Sequence, residues 1–294
     1  MPDKLTIDDF PSLKSKHVYI KDENAVLNTI NMMLRDGADR LQIVTDFDLT
    51  LTKQHVDGKL VLSSFGIFGK CTQLPSAYEI ESRRLYHKYR PIEIDPNLPL
   101  EKKIEAMNDW MLAAEELLRG IEFDSKELYD VAEKYGTPLR DGTKELFEKL
   151  NMANIPVLVF SAGLGDVVEA VLRCHKVLFD NVKIISNFLK YNGNKIDGFK
   201  NQKLIHVFNK NEHAFEQEYF KVIEGRQHVL LMGDTTGDAS MVDGMDDTVA
   251  VLKIGFLYDK AEESLASYMQ EFDIVLVDDQ TMQVTTEILR TILK

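Results

Sequence analysis

The chain has 294 residues, of which 44% are hydrophobic and 28% are charged, and its formal net charge is −13. This length suffices for one large domain or two with a substantial core. The acidic balance, without a basic stripe, argues against a surface that binds a nucleic-acid polymer. A phosphorylated small molecule stays a suitable substrate, because it needs only local positive potential.

The N-terminal residues have no apolar signal core, and no apolar run approaches the length that crosses a bilayer. The two cysteines, Cys71 and Cys174, do not form a disulfide framework. We therefore expect a cytoplasmic, soluble monomer that does not interact with a membrane.

The first predicted helix covers residues 22–36, and a short β-branched strand follows at 41–45. Two carboxylates one residue apart, Asp46 and Asp48, come directly after this strand. Ligands bind at the carboxyl ends of strands in open α/β sheets, so this is a candidate site for Mg²⁺. A carboxylate beside Mg²⁺ can attack phosphorus and form an aspartyl-phosphate. Taken alone, the segment also fits a solvated acidic turn.

Residues 59–140 have no convincing strand and instead show helical patterns near 76–89, 100–119 and 125–135. A helical insertion after the first strand is typical of a cap that closes over a phosphate, excludes water and reads the leaving group. The predicted domains are a core (38–58 and 141–294), a helical cap (59–140) and an N-terminal helical segment (1–37) docked on one of them.

Further strands alternate with helical patterns in the second half of the chain, at 156–160, 182–186, 228–232, 249–254 and 273–277. This alternation predicts an α/β fold with a doubly wound parallel sheet.

Polar turns follow two of these strands. One contains Ser161, Ala162 and Gly163, and the other contains Asp234 and Asp238. Between them, the segment 207–210 ends in Lys210. An acid pair, a hydroxyl, a lysine and a second acid pair, in that order, resemble the four motifs of the haloacid dehalogenase-like phosphohydrolases.

Each of these residues has a chemical role in such a site. Asp46 would attack the phosphorus and carry the phosphoryl group. Asp48 would protonate the departing alkoxide and then deprotonate the attacking water. Lys210 would offset the negative charge of nucleophile and phosphate.

The remaining motif residues would hold the phosphate and the metal. Ser161, with the backbone N–H groups of Ala162 and Gly163, would bind the phosphoryl oxygens. Asp234 would complete a Mg²⁺ shell with Asp46 and the carbonyl of Asp48. Asp238 would bind a metal-held water or orient Lys210.

The chain after residue 40 also resembles the cytosolic 5'-nucleotidase III family, through its large helical insertion and its segments 160–166, 184–188, 206–210 and 233–238. Members are also called pyrimidine 5'-nucleotidases, and one branch prefers 7-methylguanosine monophosphate. The resemblance implies Mg²⁺-dependent hydrolysis of a nucleoside 5'-monophosphate. Some members also transfer the phosphoryl group to a nucleoside.

The resemblance extends to base recognition in the cap. Glu93 lies in a segment, 91–96, whose glutamate contacts the base in the family. From the residues alone, Glu93 could equally face solvent between two inward-facing isoleucines. By spacing, Phe65 falls where the family often has a histidine. Phe65 and Trp110 could sandwich a base, although a single Trp on an amphipathic helix also fits core packing.

The sequence departs from the family at two places in the cap. Met111 stands where an aromatic residue is frequent, and the segment 60–66 lacks the usual cysteines and histidine. The choice between pyrimidine and 7-methylguanine therefore stays open.

Two other functions are compatible with these motifs. A phosphatase of the same fold could act on a phosphorylated amino acid or sugar, because the fold does not name the leaving group. A catalytically silent nucleotide-binding module is the second alternative. The joint presence of Asp46, Asp48, Lys210 and Asp234 argues against it.

Overall fold

The computed structural model describes residues 5–95, 97–211, 221–245 and 247–293. Its strands are β1 (Val18–Ile20), β2 (Leu41–Thr45), β3 (His55–Val56), β4 (Lys59–Leu60), β5 (Val157–Leu164), β6 (Val182–Asn187), β7 (Leu189–Asn192), β8 (Lys195–Phe199), β9 (His228–Gly233), β10 (Ala250–Leu257) and β11 (Ile274–Val277). Its α-helices are α1 (Glu23–Asp36), α2 (Ser64–Phe68), α3 (Ser76–Ile94), α4 (Leu100–Leu118), α5 (Glu127–Tyr135), α6 (Thr143–Met152), α7 (Gly165–Cys174), α8 (Ala261–Glu271) and α9 (Gln283–Ile292).

Seven of the strands form one sheet in the order β1-β11-β10-β9-β2-β5-β6. Neighbouring strands run parallel, except that β1 is antiparallel to β11 at the edge. β2, which leads into Asp46, lies in the middle between β9 and β5. The predicted α/β fold with a parallel sheet is confirmed.

Helices cover both faces of this sheet. In β2, Ile43 packs into one core and Val44 into a second core on the opposite face. Helices α1, α6, α7 and α9 contribute to the first core, whereas α8 and the turn Thr236–Ser240 pack against the second. Burial on both faces explains why the central strands are continuous apolar runs.

Several short strands differ from the sequence prediction. The N-terminal segment is not only helical, since β1 joins the edge of the sheet before α1 begins. The hairpin of β3 and β4 places a two-residue strand at the start of the predicted insertion. Strands this short have no readable period. The hairpin of β7 and β8 turns at Gly193 and Asn194, a Gly-Asn hairpin signal that the prediction overlooked.

The insertion is divided between two positions. Helices α3 and α4 pack against each other, whereas α2 and α5 pack against α7 of the core. The end of α4 is tied to β8, because the Phe199 N–H donates to Glu115 Oε1 at 2.9 Å. The boundaries of the cap stay a prediction. Among the described residues, no helix combines the length and apolar character needed to span a bilayer.

Helix α3 extends beyond its predicted end at residue 89 and continues through Pro91 to Ile94. Glu93 therefore lies in the last turn of this helix, outside the predicted helical range. Glu93 is half-buried and Ile94 is exposed, so the alternative in which Glu93 faces solvent between two inward-facing isoleucines is wrong.

Candidate active site

A buried lysine links two of the predicted acids at the carboxyl edge of the sheet. Lys210 Nζ donates to Asp46 Oδ1 and, at 2.8 Å, to Asp238 Oδ1. All three side chains are almost completely buried. Burial lowers the pKa of Lys210, but Asp238 and Asp46 raise it by more, so the lysine is charged. The structure thus brings together motifs that are far apart in the sequence.

Three predicted metal ligands, Asp46, Asp234 and Asp238, form a group that we call the acid cluster. Each offers a carboxylate oxygen within 4.8 Å of the others. Burial raises the pKa of Asp46 to about 7, although Lys210 opposes this, and burial also raises the pKa of Asp234 well above its ordinary value. Three carboxylates against one lysine leave uncompensated negative charge. Oxygen donors with excess negative charge fit a hard divalent cation such as Mg²⁺.

Asp238 is held more completely than the other two acids. Its second oxygen, Oδ2, accepts from the N–H and hydroxyl of Thr235, at 2.9 and 2.8 Å, and from the N–H of Asp234 at 3.2 Å. One oxygen on Lys210 and the other on three donors leave Asp238 little freedom. This bonding favours the predicted role of orienting Lys210.

The predicted phosphate loop, residues 161–163, lies at an irregular end of β5, where the pairing with β6 shifts register after Phe160. The Gly163 N–H donates to Ser161 Oγ at 3.0 Å. The loop carbonyls are fixed from β6: Asn187 Nδ2 donates to the Ala162 carbonyl at 3.0 Å, and Ser186 Oγ donates to the Gly163 carbonyl at 3.0 Å. The loop is therefore shaped before any phosphate binds.

Asp48 is held on the other side of this loop by a residue that the sequence analysis did not identify. Ser64, the first residue of α2, donates from its N–H to Asp48 Oδ1 at 2.8 Å and from its hydroxyl to Asp48 Oδ2 at 2.7 Å. Burial raises the pKa of Asp48, and both Ser64 donors oppose that change. The carboxylate of Asp48 faces Ser64 instead of the acid cluster, so only its carbonyl is left for the predicted metal shell.

A second unpredicted residue, Arg140, fixes the turn that follows β2 and carries Asp46 and Asp48. Its guanidinium donates at 2.6 Å to the carbonyls of Thr50 and of Leu49, which has a φ of 63°, and also to the Asp279 carbonyl. It stacks 3.9 Å from the centre of the Phe256 ring. Burial lowers the pKa of Arg140, whereas Asp279 and Asp234 oppose this, so it stays charged at neutral pH.

The predicted base-reading acid is already paired within the cap. Arg90 Nη1 donates to Glu93 Oε2 at 2.5 Å, one turn away on α3. Burial lowers the pKa of Arg90, but the paired Glu93 carboxylate raises it by more, with a smaller contribution from the negative charge of Asp234. Tyr268 of α8, whose hydroxyl donates to the Asp234 carbonyl at 2.5 Å, lies in the same region.

The two predicted aromatic residues have different surroundings. Trp110 is half-buried and stacks on Tyr89 of α3, with 5.8 Å between ring centroids and 13° between planes. Its cluster also includes Val207 and Phe208, which precede Lys210. Phe65 is half-buried on α2 beside Ser64 and packs against the main core. Trp110 therefore joins the cap to the lysine loop, and Tyr89 is an additional aromatic surface that the sequence analysis missed.

Known proteins share this arrangement and much of the sequence. A family model described as Pyrimidine 5'-nucleotidase (UMPH-1) matches residues 49–293. The chain belongs to this family. The 7-methylguanosine phosphate-specific 5'-nucleotidase of Drosophila melanogaster is 46% identical, with 99% of this chain and 92% of the relative covered. That of Homo sapiens is 37% identical, with 97% and 96% covered.

Solved structures agree with the family assignment of this nucleotidase. The crystal structure of cytosolic 5'-nucleotidase IIIB bound to cytidine matches with a TM-score of 0.94 and 46% identity, covering 98% of this chain and 97% of that one. A probable phosphoserine phosphatase from Vibrio cholerae matches with a TM-score of 0.53 at 13% identity and shares only the fold. The resemblance to the cytosolic 5'-nucleotidase III family is confirmed.

Proposed function

We propose that this nucleotidase hydrolyses nucleoside 5'-monophosphates through a phosphorylated Asp46. The observation that carries the proposal is the position of Asp46, which is buried at the end of the central strand with Lys210 on one of its oxygens. Its second oxygen is left to attack phosphorus. The neighbouring phosphate loop supplies donors for the phosphoryl oxygens.

The proposed reaction has two steps. A carboxylate oxygen of Asp46 bonds to phosphorus while the bond to the nucleoside 5'-oxygen breaks, and Asp48 gives that oxygen a proton. Water then attacks the phosphorus, gives a proton to Asp48 and releases inorganic phosphate, which restores Asp46. A nucleoside hydroxyl in place of water would give the phosphotransfer that the family resemblance implies.

Asp46, Asp234 and the Asp48 carbonyl are the proposed Mg²⁺ ligands, and Asp238 would reach the metal only through a bound water. Bound there, Mg²⁺ would supply positive charge against the phosphoryl oxygens. Lys210 provides the permanent positive charge, and Asp238 keeps it aimed at Asp46. Tyr268 fixes the backbone at Asp234.

We propose 7-methylguanosine 5'-monophosphate and CMP as the substrates to be tested first. Relatives at 46% and 37% identity are named for the former, and a matching structure contains cytidine. Trp110 and the acid Glu93, both half-buried, suit a flat base with an exocyclic amine, and a cationic methylated base gains further from an aromatic face. Such a base would have to bind the Glu93 carboxylate in the presence of its hydrogen bond with Arg90.

Phosphate release from a panel of monophosphates, with and without Mg²⁺, tests the proposal. The panel comprises CMP, UMP, 7-methyl-GMP, phosphoserine and a sugar phosphate. We expect nucleotides to be hydrolysed in a Mg²⁺-dependent manner and phosphoserine to be hydrolysed at least about 100-fold more slowly, a ratio worth about 2.7 kcal/mol of transition-state binding. A preference for phosphoserine or the sugar phosphate would favour the alternative phosphatase, and no turnover of any compound would favour the silent binding module.

The nucleophile is tested separately. Asp46→Asn should keep the fold and abolish turnover, provided that deamidation is excluded by mass spectrometry. Near-normal phosphate release by this variant would show that Asp46 does not carry the phosphoryl group. The cytoplasmic location and the monomeric state are proposed with the enzyme, and fractionation and light scattering test them.

A further inference from the structure

Ser64 makes contacts that neither helix formation nor core packing requires. The N-cap of α2 is its neighbour Ser63, whose hydroxyl accepts from the Gly66 N–H at 3.3 Å. Ser64 is completely buried. Its two donors both go to one carboxylate, that of Asp48. The two adjacent serines therefore have separate partners.

The Ser64 hydroxyl also connects Asp48 to the phosphate loop. While it donates to Asp48, its oxygen accepts from the Leu164 N–H at 3.1 Å. Gly163 packs so closely that a Cβ there would collide with Ser64 Oγ and lie 2.9 Å from Asp48 Oδ2. A glycine at this position is thus what allows Ser64 and Asp48 to lie against the loop.

We infer that Ser64 is a positioning residue that holds the Asp48 carboxylate in register with the phosphate loop for proton transfer to the leaving oxygen. This inference rests on the proposed function, in which Asp48 is the acid and base. Two hydrogen bonds from one residue fix both the rotation and the tilt of a planar carboxylate. A proton donor must lie within hydrogen-bond reach of its acceptor, so loss of this restraint slows transfer to a poor leaving group.

The test compares two substrates on four single variants, Ser64→Ala, Ser64→Cys, Ser63→Ala and Asp48→Asn, with Mg²⁺ present. CMP has a poor alkoxide leaving group that needs a proton, whereas p-nitrophenyl phosphate has a good leaving group that does not. The rate compared is kcat/KM, because it reports transfer of the phosphoryl group to Asp46 and excludes the hydrolysis step that both substrates share. Ser64→Ala should lower kcat/KM for CMP about 10- to 100-fold and kcat/KM for the aryl phosphate less than about threefold. Ser63→Ala, the matched control, should leave the ratio of the two rates unchanged. Ser64→Cys retains a weak donor and should give an intermediate ratio.

Asp48→Asn separates a failure of the inference from a failure of the proposed function. If Asp48→Asn does not change the ratio of the two rates, the acid assignment itself is wrong. If Asp48→Asn changes it and Ser64→Ala does not, only the role of Ser64 is wrong. In the Asp48→Asn background, Ser64→Ala should lower the rate for CMP by less than about a further twofold, because a residue that acts through Asp48 then has no carboxylate to position.

A general structural role gives a different result. It would lower both rates equally, or would multiply with the Asp48→Asn effect, and either outcome overturns the inference. If Ser64→Ala does not fold, Ser64→Cys decides the question. If Ser64→Cys folds and keeps the original ratio of CMP to aryl phosphate rates while Asp48→Asn changes it, the positioning role is contradicted.

Discussion

Arg140→Lys should reduce activity far more than its effect on stability explains. Arg140 reaches three backbone carbonyls at once, those of Leu49, Thr50 and Asp279. Lysine keeps the charge but lacks the planar fork, so it can satisfy one or two of these acceptors. Because two of the carbonyls lie within two residues of Asp48, the acid would lose a fixed backbone.

The magnitude follows from the number of hydrogen bonds that the substitution removes. A hydrogen bond from a charged group contributes about 1.5–3 kcal/mol, so removing one or two should destabilise the fold by about 1.5–6 kcal/mol. For a chain of this size, that corresponds to a fall in Tm of about 3–24 °C. A catalytic group displaced by about 1 Å costs about 100-fold in rate, so we expect kcat to fall 10- to 100-fold well below the Tm.

The chain supplies a matched control at the other end of the same strand. Arg226 donates to the carbonyls of Ala38, Leu41 and Asn154 at 2.9, 3.0 and 3.0 Å, where β2 begins. Arg226→Lys should lower the Tm while leaving kcat at 25 °C within about twofold. Thermal melts and CMP turnover measure both effects. Equal losses of kcat in the two variants, or an unchanged kcat in Arg140→Lys, would refute the proposed support of the catalytic turn.

Three further results are expected. Burial raises the pKa of Asp46 to about 7 and also raises the pKa of Asp234, so the metal-free protein loses stability as pH rises through about 7. Millimolar Mg²⁺ should therefore raise the Tm more at pH 8 than at pH 5. If Mg²⁺ raises the Tm of Asp234→Asn as much as that of the original protein, the metal binds elsewhere. Burial lowers the pKa of His206 to about 4, so the unfolded chain binds a proton between pH 6.5 and 4 that the folded chain does not bind. The free energy of unfolding should therefore fall by up to about 3 kcal/mol as pH falls through that window. Urea unfolding of His206→Gln should show a shallower loss, and a slope equal to that of the original protein would exclude this cause. Glu93→Ala should lower the ratio of CMP turnover to p-nitrophenyl phosphate turnover. Trp110→Ala should lower this ratio only if the indole stacks on the base. An unchanged ratio in Glu93→Ala would show that Glu93 does not recognise the base.

The central sheet and the clustering of the candidate site residues were predictable because each leaves a local mark in the sequence. Buried parallel strands are apolar runs, and a site for phosphate and metal requires acidic or hydroxyl side chains at the ends of those strands. Asp46, Ser161 and Asp234 stand at the ends of β2, β5 and β9, or within a bulge there. Lys210 was predicted from its motif, and the structure pairs it with Asp46.

The edge strands and the helical pair α3–α4 were harder to predict for physical reasons. β1 has three residues, so its pattern is too short to separate from a turn. Helix α3 passes through Pro91, which usually ends a helix, so the predicted helix stopped at residue 89 and left Glu93 outside it. Its pairing with Arg90, one turn away, follows only from the helical spacing.

The residues that position the site, Arg140 and Ser64, could not have been identified from the sequence. Arg140 binds backbone carbonyls, which every residue has, and the partner of Ser64 lies far away along the chain. Arg140 and Arg226 each bind three backbone carbonyls, one at the end of β2 and one at its beginning. Neither belongs to a motif, and their side chains are the same. Only their position along the strand separates a residue that supports the catalytic turn from one that supports the opposite edge. Ser63 and Ser64 make the same point at a separation of one residue, since the first caps a helix and the second binds Asp48.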